Sequence, residues 1–206
     1  MCPVDRHAWD ERYAEREQAF TPEPNRQVAE EVAAMPGPGV ALDLATGEGR
    51  HAVWLASLGW KVLAVDFAGV GLRRGQARAR AGGLGVAFAQ GDVYALRWPP
   101  ASFDLVLAAF FHPTPPERGR VYASAARALR PGGSLLLVSY DRANLTRGTG
   151  GPQDPDRLLD PPALAEQLRG LGLDVIRADT VPWRAPARDG EEVDVVNAVI
   201  RAERPR

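Results

Sequence analysis

Apolar positions fall in two rhythms along this chain. Before residue 36 they recur at helical spacing. Trp9 and Tyr13 stand at i and i+4 in a charged stretch that reads as a helix over 7–20, and Val28, Val32 and Met35 share one side of a second helix over 25–35. Pro22 and Pro24 separate the two, and Pro36-Gly37-Pro38-Gly39 stops the second. From residue 40 onward, short continuously apolar runs alternate with amphipathic segments. The runs at 40–45, 60–66, 85–91, 103–109 and 134–139 predict strands. The segments that follow residue 49, and those over 70–81, 116–129 and 162–171, predict helices. Two final strands, 173–181 and 193–202, are joined through an Asp189-Gly190 turn with no helix between them.

Strands that are apolar throughout must be covered on both faces, so the pattern predicts an α/β fold with a mostly parallel sheet between helical layers. The last strand, lacking a crossover helix, is expected to enter antiparallel. The expected unit is one domain over 1–206, with an N-terminal helical cap over 1–36. Residues 143–162 are rich in Gly and Pro and show no clear element, which marks a possible lid. No proline falls inside an expected strand. The 21 glycines and 18 prolines thus read as punctuation rather than disorder.

Composition removes several function classes. The 25 basic and 26 acidic residues leave a net charge of −1, so no global field draws the chain to nucleic acid or an anionic membrane. The longest apolar run, 105–111, is far short of a membrane span, and the charged N-terminus lacks the apolar stretch of a signal peptide. Cys2 is the single cysteine, so no intramolecular disulfide forms, and His7, His51 and His112 lack metal-site spacing. A cytoplasmic location and no resident metal are expected. Nothing in the pattern fixes an oligomeric state.

Chemistry concentrates between the first strand and its helix. Gly47 and Gly49 let backbone approach a ligand at a helix N-terminus. Asp66 ends the second strand, where an acid can accept ribose hydroxyls. Gly47, Gly49 and Ala52 also satisfy the dinucleotide fingerprint, which keeps an NAD-dependent oxidoreductase open. Asp43, at the leading edge of the loop, would repel a pyrophosphate but suits a ligand bearing an ammonium group.

The string from Val40 through Asp66, followed by Gln90-Gly91-Asp92-Val93, by Phe103 to Phe110 and by Ala128-Leu129-Arg130-Pro131-Gly132-Gly133, resembles the ordered motifs of class I S-adenosylmethionine (SAM) dependent methyltransferases. These are Rossmann-like, seven-stranded folds. The resemblance implies SAM as cofactor. Asp43, Ala45, Gly47 and Gly49 would lie along its methionyl part, Asp66 at the ribose, Asp92 and Val93 at the adenine edge, with Phe67 and Ala109 also binding the cofactor. Ala45 stands where the family usually has glycine. The opening Trp9-Asp10-Glu11-Arg12-Tyr13 is similar to the small tellurite-resistance and thiopurine methyltransferase types, which implies that Trp9 and Tyr13 close the pocket and Arg12 pairs with the SAM carboxylate.

His112 follows the fourth strand at the carboxyl edge and is the candidate catalytic residue, as a base or as an orienting group. Asn144, Thr146, Arg147, Gln153, Asp154, Trp183 and Arg184 are candidates to face a polar acceptor. The Asn/Asp-Pro-Pro-aromatic signature of nucleic-acid amino-methylating enzymes is replaced here by Ala109-Phe110-Phe111-His112-Pro113. The expected partner is therefore a small-molecule or oxyanion methyl acceptor, with a non-enzymatic SAM-binding module as a further alternative.

Overall fold

The computed structural model describes residues 6–15, 21–186 and 192–206. Its elements run α1 (Arg6–Ala14), α2 (Arg26–Ala33), β1 (Val40–Leu44), α3 (Arg50–Ser57), β2 (Lys61–Asp66), α4 (Gly69–Ala81), β3 (Val86–Gln90), β4 (Phe103–Ala109), α5 (Pro115–Ala128), β5 (Leu129–Tyr140), α6 (Asn144–Arg147), α7 (Pro161–Gly170), β6 (Asp174–Pro186) and β7 (Glu192–Glu203). Cys2, the end of the helix expected over 7–20 and the Asp189-Gly190 turn lie outside the described residues.

One sheet holds all seven strands in the order β3-β2-β1-β4-β5-β7-β6. Strands β1 to β5 pair in parallel. β7 enters antiparallel between β5 and β6, as the missing crossover helix requires. Successive strand residues serve opposite faces. Leu42, Leu44, Val106, Leu135 and Leu137 meet Val121, Tyr122 and Ala125 of α5 and Leu164 and Leu168 of α7. Ala41, Leu105, Leu107, Leu136 and Val138 meet Val28 and Val32 of α2 and Ala52 and Leu55 of α3. Each fully buried Leu or Val contributes about 1.5–3 kcal/mol, so these two layers fix the sheet against its helices.

The ends of the helices are set by side chains. Thr114 and Glu117 form a capping box ahead of α5, with proline in its first turn. Asn25 caps α2 through its bond from the Val28 N–H, and its own N–H donates to His51 Nε2 at 3.2 Å. Burial, then the nearby Arg50 charge, holds His51 well below the usual imidazole range, so it stays neutral and serves as an acceptor.

Two expectations need correction. Pro131 lies in β5, and Pro182 and Pro186 lie in β6. β6 is an edge strand, where a missing N–H can face solvent without breaking the ladder. Residues 143–162 are also not devoid of structure. They contain α6 and a 3-10 turn, Pro155–Arg157. Asn144 Oδ1 accepts the Val196 N–H at 2.8 Å, while its amide donates to the Gly150 carbonyl. Leu158 and Leu159 are buried. Among the described residues, no helix is long and apolar enough to cross a membrane.

Candidate cofactor and acceptor site

Two buried carboxyls stand at the carboxyl ends of adjacent strands. Asp43 pairs across the sheet with Ala64, so Asp66 lies two residues further along β2. Strand geometry puts about 8 Å between the two backbones. Asp66 Oδ2 accepts the Gly47 N–H and Oδ1 the Ala68 N–H, both at 2.8 Å. Asp43 Oδ2 accepts the Thr46 hydroxyl at 2.5 Å. Burial first, and then repulsion from Asp66, pushes the Asp43 carboxyl up to about 7, against the Thr46 bond and the Arg50 charge. Burial likewise raises Asp66. A cation seated beside Asp43 would remove the penalty on its ionisation.

The turn between these acids is built for close approach. Gly47 and Gly49 have φ of +57° and +69°, and Ala45 shares that left-handed region at +54°. A Cβ on Gly47 would lie 2.6 Å from Tyr13 Oη, and one on Gly49 would lie 2.8 Å from the Phe88 ring. Helix α4 presses onto the turn through Gly71 and Gly75, whose Cβ atoms would meet the carbonyls of Gly47 at 2.9 Å and Glu48 at 3.0 Å. The buried Glu48 side chain pairs with Arg74 of α4 at 2.9 Å.

Helix α1 lies across the start of α4, where Asp10 accepts the Val70 N–H at 2.8 Å. This bond complements the positive helix end. Tyr13 is buried, 5.7 Å from the Trp9 ring, and Arg12 lies over the other aromatic group, 4.9 Å from the Trp9 centroid. Burial, with the Asp66 and Glu48 charges, raises the Tyr13 phenol above its ordinary range.

On the far side of the turn, β4 and β5 end in a ring cluster. The Phe110 ring meets Tyr140 edge-on at 5.4 Å, and His112 stacks on Tyr140 at 5.9 Å. His112 Nδ1 bonds to the buried Ser139 hydroxyl at 3.2 Å, and its carbonyl accepts from Arg157 at 3.0 Å. Burial of the ring, aided by Arg157, Arg118 and Arg12, lowers His112 to about 4. It is neutral at physiological pH.

The structure thus gathers Tyr13, Asp43, Ala45, Gly47, Gly49 and Asp66 around one turn, with Trp9 beside Tyr13 and Arg12 over Trp9 on α1. Phe67 follows directly after β2, and its carbonyl accepts from Gln90 at 2.9 Å. Asp92 is exposed and accepts the Tyr94 N–H. Val93 is buried in the core beside residues of β4 and α5. Ala109 is half-buried at the end of β4. Asp154 serves its own 3-10 turn by accepting the Asp156 N–H. Sequence reading missed Asp10, Glu48, Arg50, Ser139 and Tyr140, which reach the site through tertiary packing. Gly71 and Gly75 carry a readable signal, two residues without side chains one helical turn apart.

Residues 41–133 match the methyltransferase domain family. A demethylmenaquinone methyltransferase of Thermus thermophilus is 34% identical over 117 residues, which are 56% of this chain and 53% of that protein. The chain spans about half or less of the length of the curated relatives it matches. The 1,6-didemethyltoxoflavin-N1-methyltransferase of Burkholderia thailandensis, solved with 1,6-didemethyltoxoflavin and S-adenosylhomocysteine, superposes with a TM-score of 0.71 at 22% identity, over 100% of this chain and 93% of that one. TehB from Haemophilus influenzae superposes at 0.69 and 16% identity, over 95% of this chain and 67% of that one. Residues 41–133 are thus similar to the methyltransferase domain family, and the chain as a whole shares the fold of the solved structures on which it superposes.

Proposed function

We propose that this protein transfers the methyl group of SAM to a small-molecule acceptor. The observation that carries the reading is the pair of buried carboxyls, Asp43 and Asp66, flanking the Gly47–Gly49 turn at adjacent strand ends. Two carboxyl acceptors on backbones set about 8 Å apart by strand geometry fit a ligand with an ammonium at one end and a diol at the other. Ala45, Gly47 and Gly49 line the path between them, and Phe67, Asp92 and Val93 border the base. Trp9 and Tyr13 close the site from α1, while Arg12 is near enough on that helix to meet a carboxylate.

When bound, SAM supplies a sulfonium methyl already activated for displacement. The chain's own task is to hold an acceptor in line with it and to exclude water, a contribution of roughly 7–11 kcal/mol where alignment is good. His112, held at about 4, is a poor proton acceptor at neutral pH and serves to orient the acceptor through a hydrogen bond. Ala109 borders the reacting centre. Residues 143–162 cover the acceptor side as a lid.

A small molecule rather than nucleic acid is the acceptor class, in keeping with the names of the Thermus and Burkholderia relatives. The subgroup we favour is the tellurite-resistance and thiopurine type, and the location the cytoplasm. The test is transfer of a labelled methyl from SAM to small thiols, amines, phenols and tellurium or selenium oxyanions. Label on at least one of them is expected; label found only on RNA or DNA, or on nothing, contradicts the reading.

A further inference from the structure

The chain leaves β4 through one sharp residue. Phe110 holds a left-handed backbone at φ +55°, and its N–H bonds to the Val138 carbonyl of β5 at 2.8 Å. Such a conformation is strained for a non-glycine residue and persists where the surroundings impose it. It turns the loop over β5, so that the His112 ring stacks on Tyr140 and its Nδ1 comes within 3.2 Å of the Ser139 hydroxyl. Ser139 is only 1% exposed, and its hydroxyl makes no other hydrogen bond among the described residues.

That isolation decides which of the two groups donates. A neutral imidazole carries one ring proton, on Nδ1 or on Nε2. With the proton on Nδ1, the ring would donate to Ser139 and leave the hydroxyl proton buried without an acceptor, which is costly. With the proton on Nε2, the hydroxyl donates to the bare Nδ1 and neither group is wasted. Burial and the Arg157, Arg118 and Arg12 charges keep the ring neutral at physiological pH, so there is one proton to place. The Arg157 main chain also favours a proton on the ring, and with Nδ1 occupied its place is Nε2. A ligand can share that proton, because one N–H can serve two acceptors, and His112 is not fully buried.

We propose that Ser139 is a positioning residue that fixes His112 as the Nε2–H tautomer, so that the site offers the methyl acceptor a hydrogen-bond donor and selects a molecule with a lone pair there, a carbonyl oxygen or a pyridine-type ring nitrogen. The proposal rests on the methyl-transfer reading and specifies its substrate class. A molecule that turns an N–H toward the ring sets two donors against each other, which rejects it more strongly than a missing contact would. The Phe110 and Tyr140 rings beside His112 suit a flat heteroaromatic frame.

The test is nuclear magnetic resonance of the full chain carrying nitrogen-15 histidine at neutral pH, with the His112 signals identified by their loss in His112→Gln. Long-range proton–nitrogen correlations show which ring nitrogen holds the proton; Nε2 is expected, with Nδ1 bare. Quinoline, which offers a ring lone pair, and indole, which offers an N–H, are then titrated into the complex with S-adenosylhomocysteine. Quinoline should move the Nε2 signal and bind about fivefold tighter than indole, in the range of one hydrogen bond. Ser139→Ala should remove that preference and Ser139→Thr, which keeps the hydroxyl, should retain it. Calorimetry should give both variants an unchanged affinity for S-adenosylhomocysteine. A proton on Nδ1, no binding of quinoline, indole bound as tightly as quinoline, or a preference that survives Ser139→Ala would overturn the proposal. Failure of the unaltered chain to bind S-adenosylhomocysteine would instead overturn the cofactor reading, since the ring tautomer is read from the protein alone.

Discussion

Gly47 donates its backbone N–H to Asp66 Oδ2 over 2.8 Å, and this bond ties the turn after β1 to the end of β2. The acid proposed to meet the ribose is therefore also the clamp that shapes the glycine turn. Asp66→Ala would leave the N–H groups of Gly47 and Ala68 without their acceptor, a loss of about 1–3 kcal/mol for each group that stays buried and unpaired. Asp66→Asn keeps one acceptor oxygen and should lose less. Chemical denaturation of both variants measures the difference; equal stability of Asp66→Ala and the unaltered chain would contradict the clamp.

Gly71 faces the same turn from α4. In an exposed helix, Gly→Ala stabilises by nearly 1 kcal/mol. Here the added Cβ would lie 2.9 Å from the Gly47 carbonyl oxygen and 3.2 Å from the Tyr13 ring. Gly71→Ala should therefore destabilise, by about 1–3 kcal/mol, as overpacking of a closed interface does. A raised melting temperature would show that α4 is free to move away from the turn.

Ala45 occupies φ +54°. Ala45→Gly relieves strain of order 1 kcal/mol but loosens the unfolded chain by about 0.4–1 kcal/mol, so the two nearly cancel. Ala45→Val places a β-branched side chain in that region and should cost at least about 2 kcal/mol. Denaturation midpoints for the pair check this, and a neutral Ala45→Val would contradict the backbone assignment.

Asp43, pushed up to about 7, is largely protonated below that pH in the ligand-free fold. Its folded value is above its unfolded one, so its contribution to stability is full below about 4 and is lost as pH rises toward 7. An ammonium ligand favours the carboxylate, so binding of S-adenosylhomocysteine near pH 6.5 should release a proton. Calorimetry in buffers of different ionisation enthalpy reads that release, and Asp43→Asn should abolish it. Proton uptake on binding would contradict the pairing.

His112 has the opposite sign. Its folded value, about 4, lies below the unfolded 6.5, so it contributes stability above 6.5 that is lost as pH falls through 4. His112→Gln should flatten the acid limb of the stability curve between those values. With an identified acceptor, the variant should mainly raise KM. A large fall in kcat, with loss of a pH-rate limb, would make the imidazole a base instead.

Much of the fold is visible in the sequence because its strands are short, apolar and punctuated. The core acids and glycines were legible for the same reason: Asp43, Gly47, Gly49 and Asp66 sit at fixed distances from strand ends that are themselves readable. Pro182 in β6 was not, since only the strand order makes β6 an edge where proline is tolerated. Glu48 with Arg74 and Arg50 with Phe110 were hidden too, because each pair joins elements that meet only in the folded sheet. The 143–162 segment looked irregular because its order comes from single polar anchors, such as Asn144 to Val196, rather than from periodicity.

Calorimetric titration of the full chain with S-adenosylhomocysteine tests the central claim most directly. One-to-one binding in the micromolar range is expected, weakened at least about tenfold, or 1.4 kcal/mol, by Asp66→Asn, with no comparable heat from NAD. No binding at millimolar S-adenosylhomocysteine, or NAD binding in its place, would contradict it.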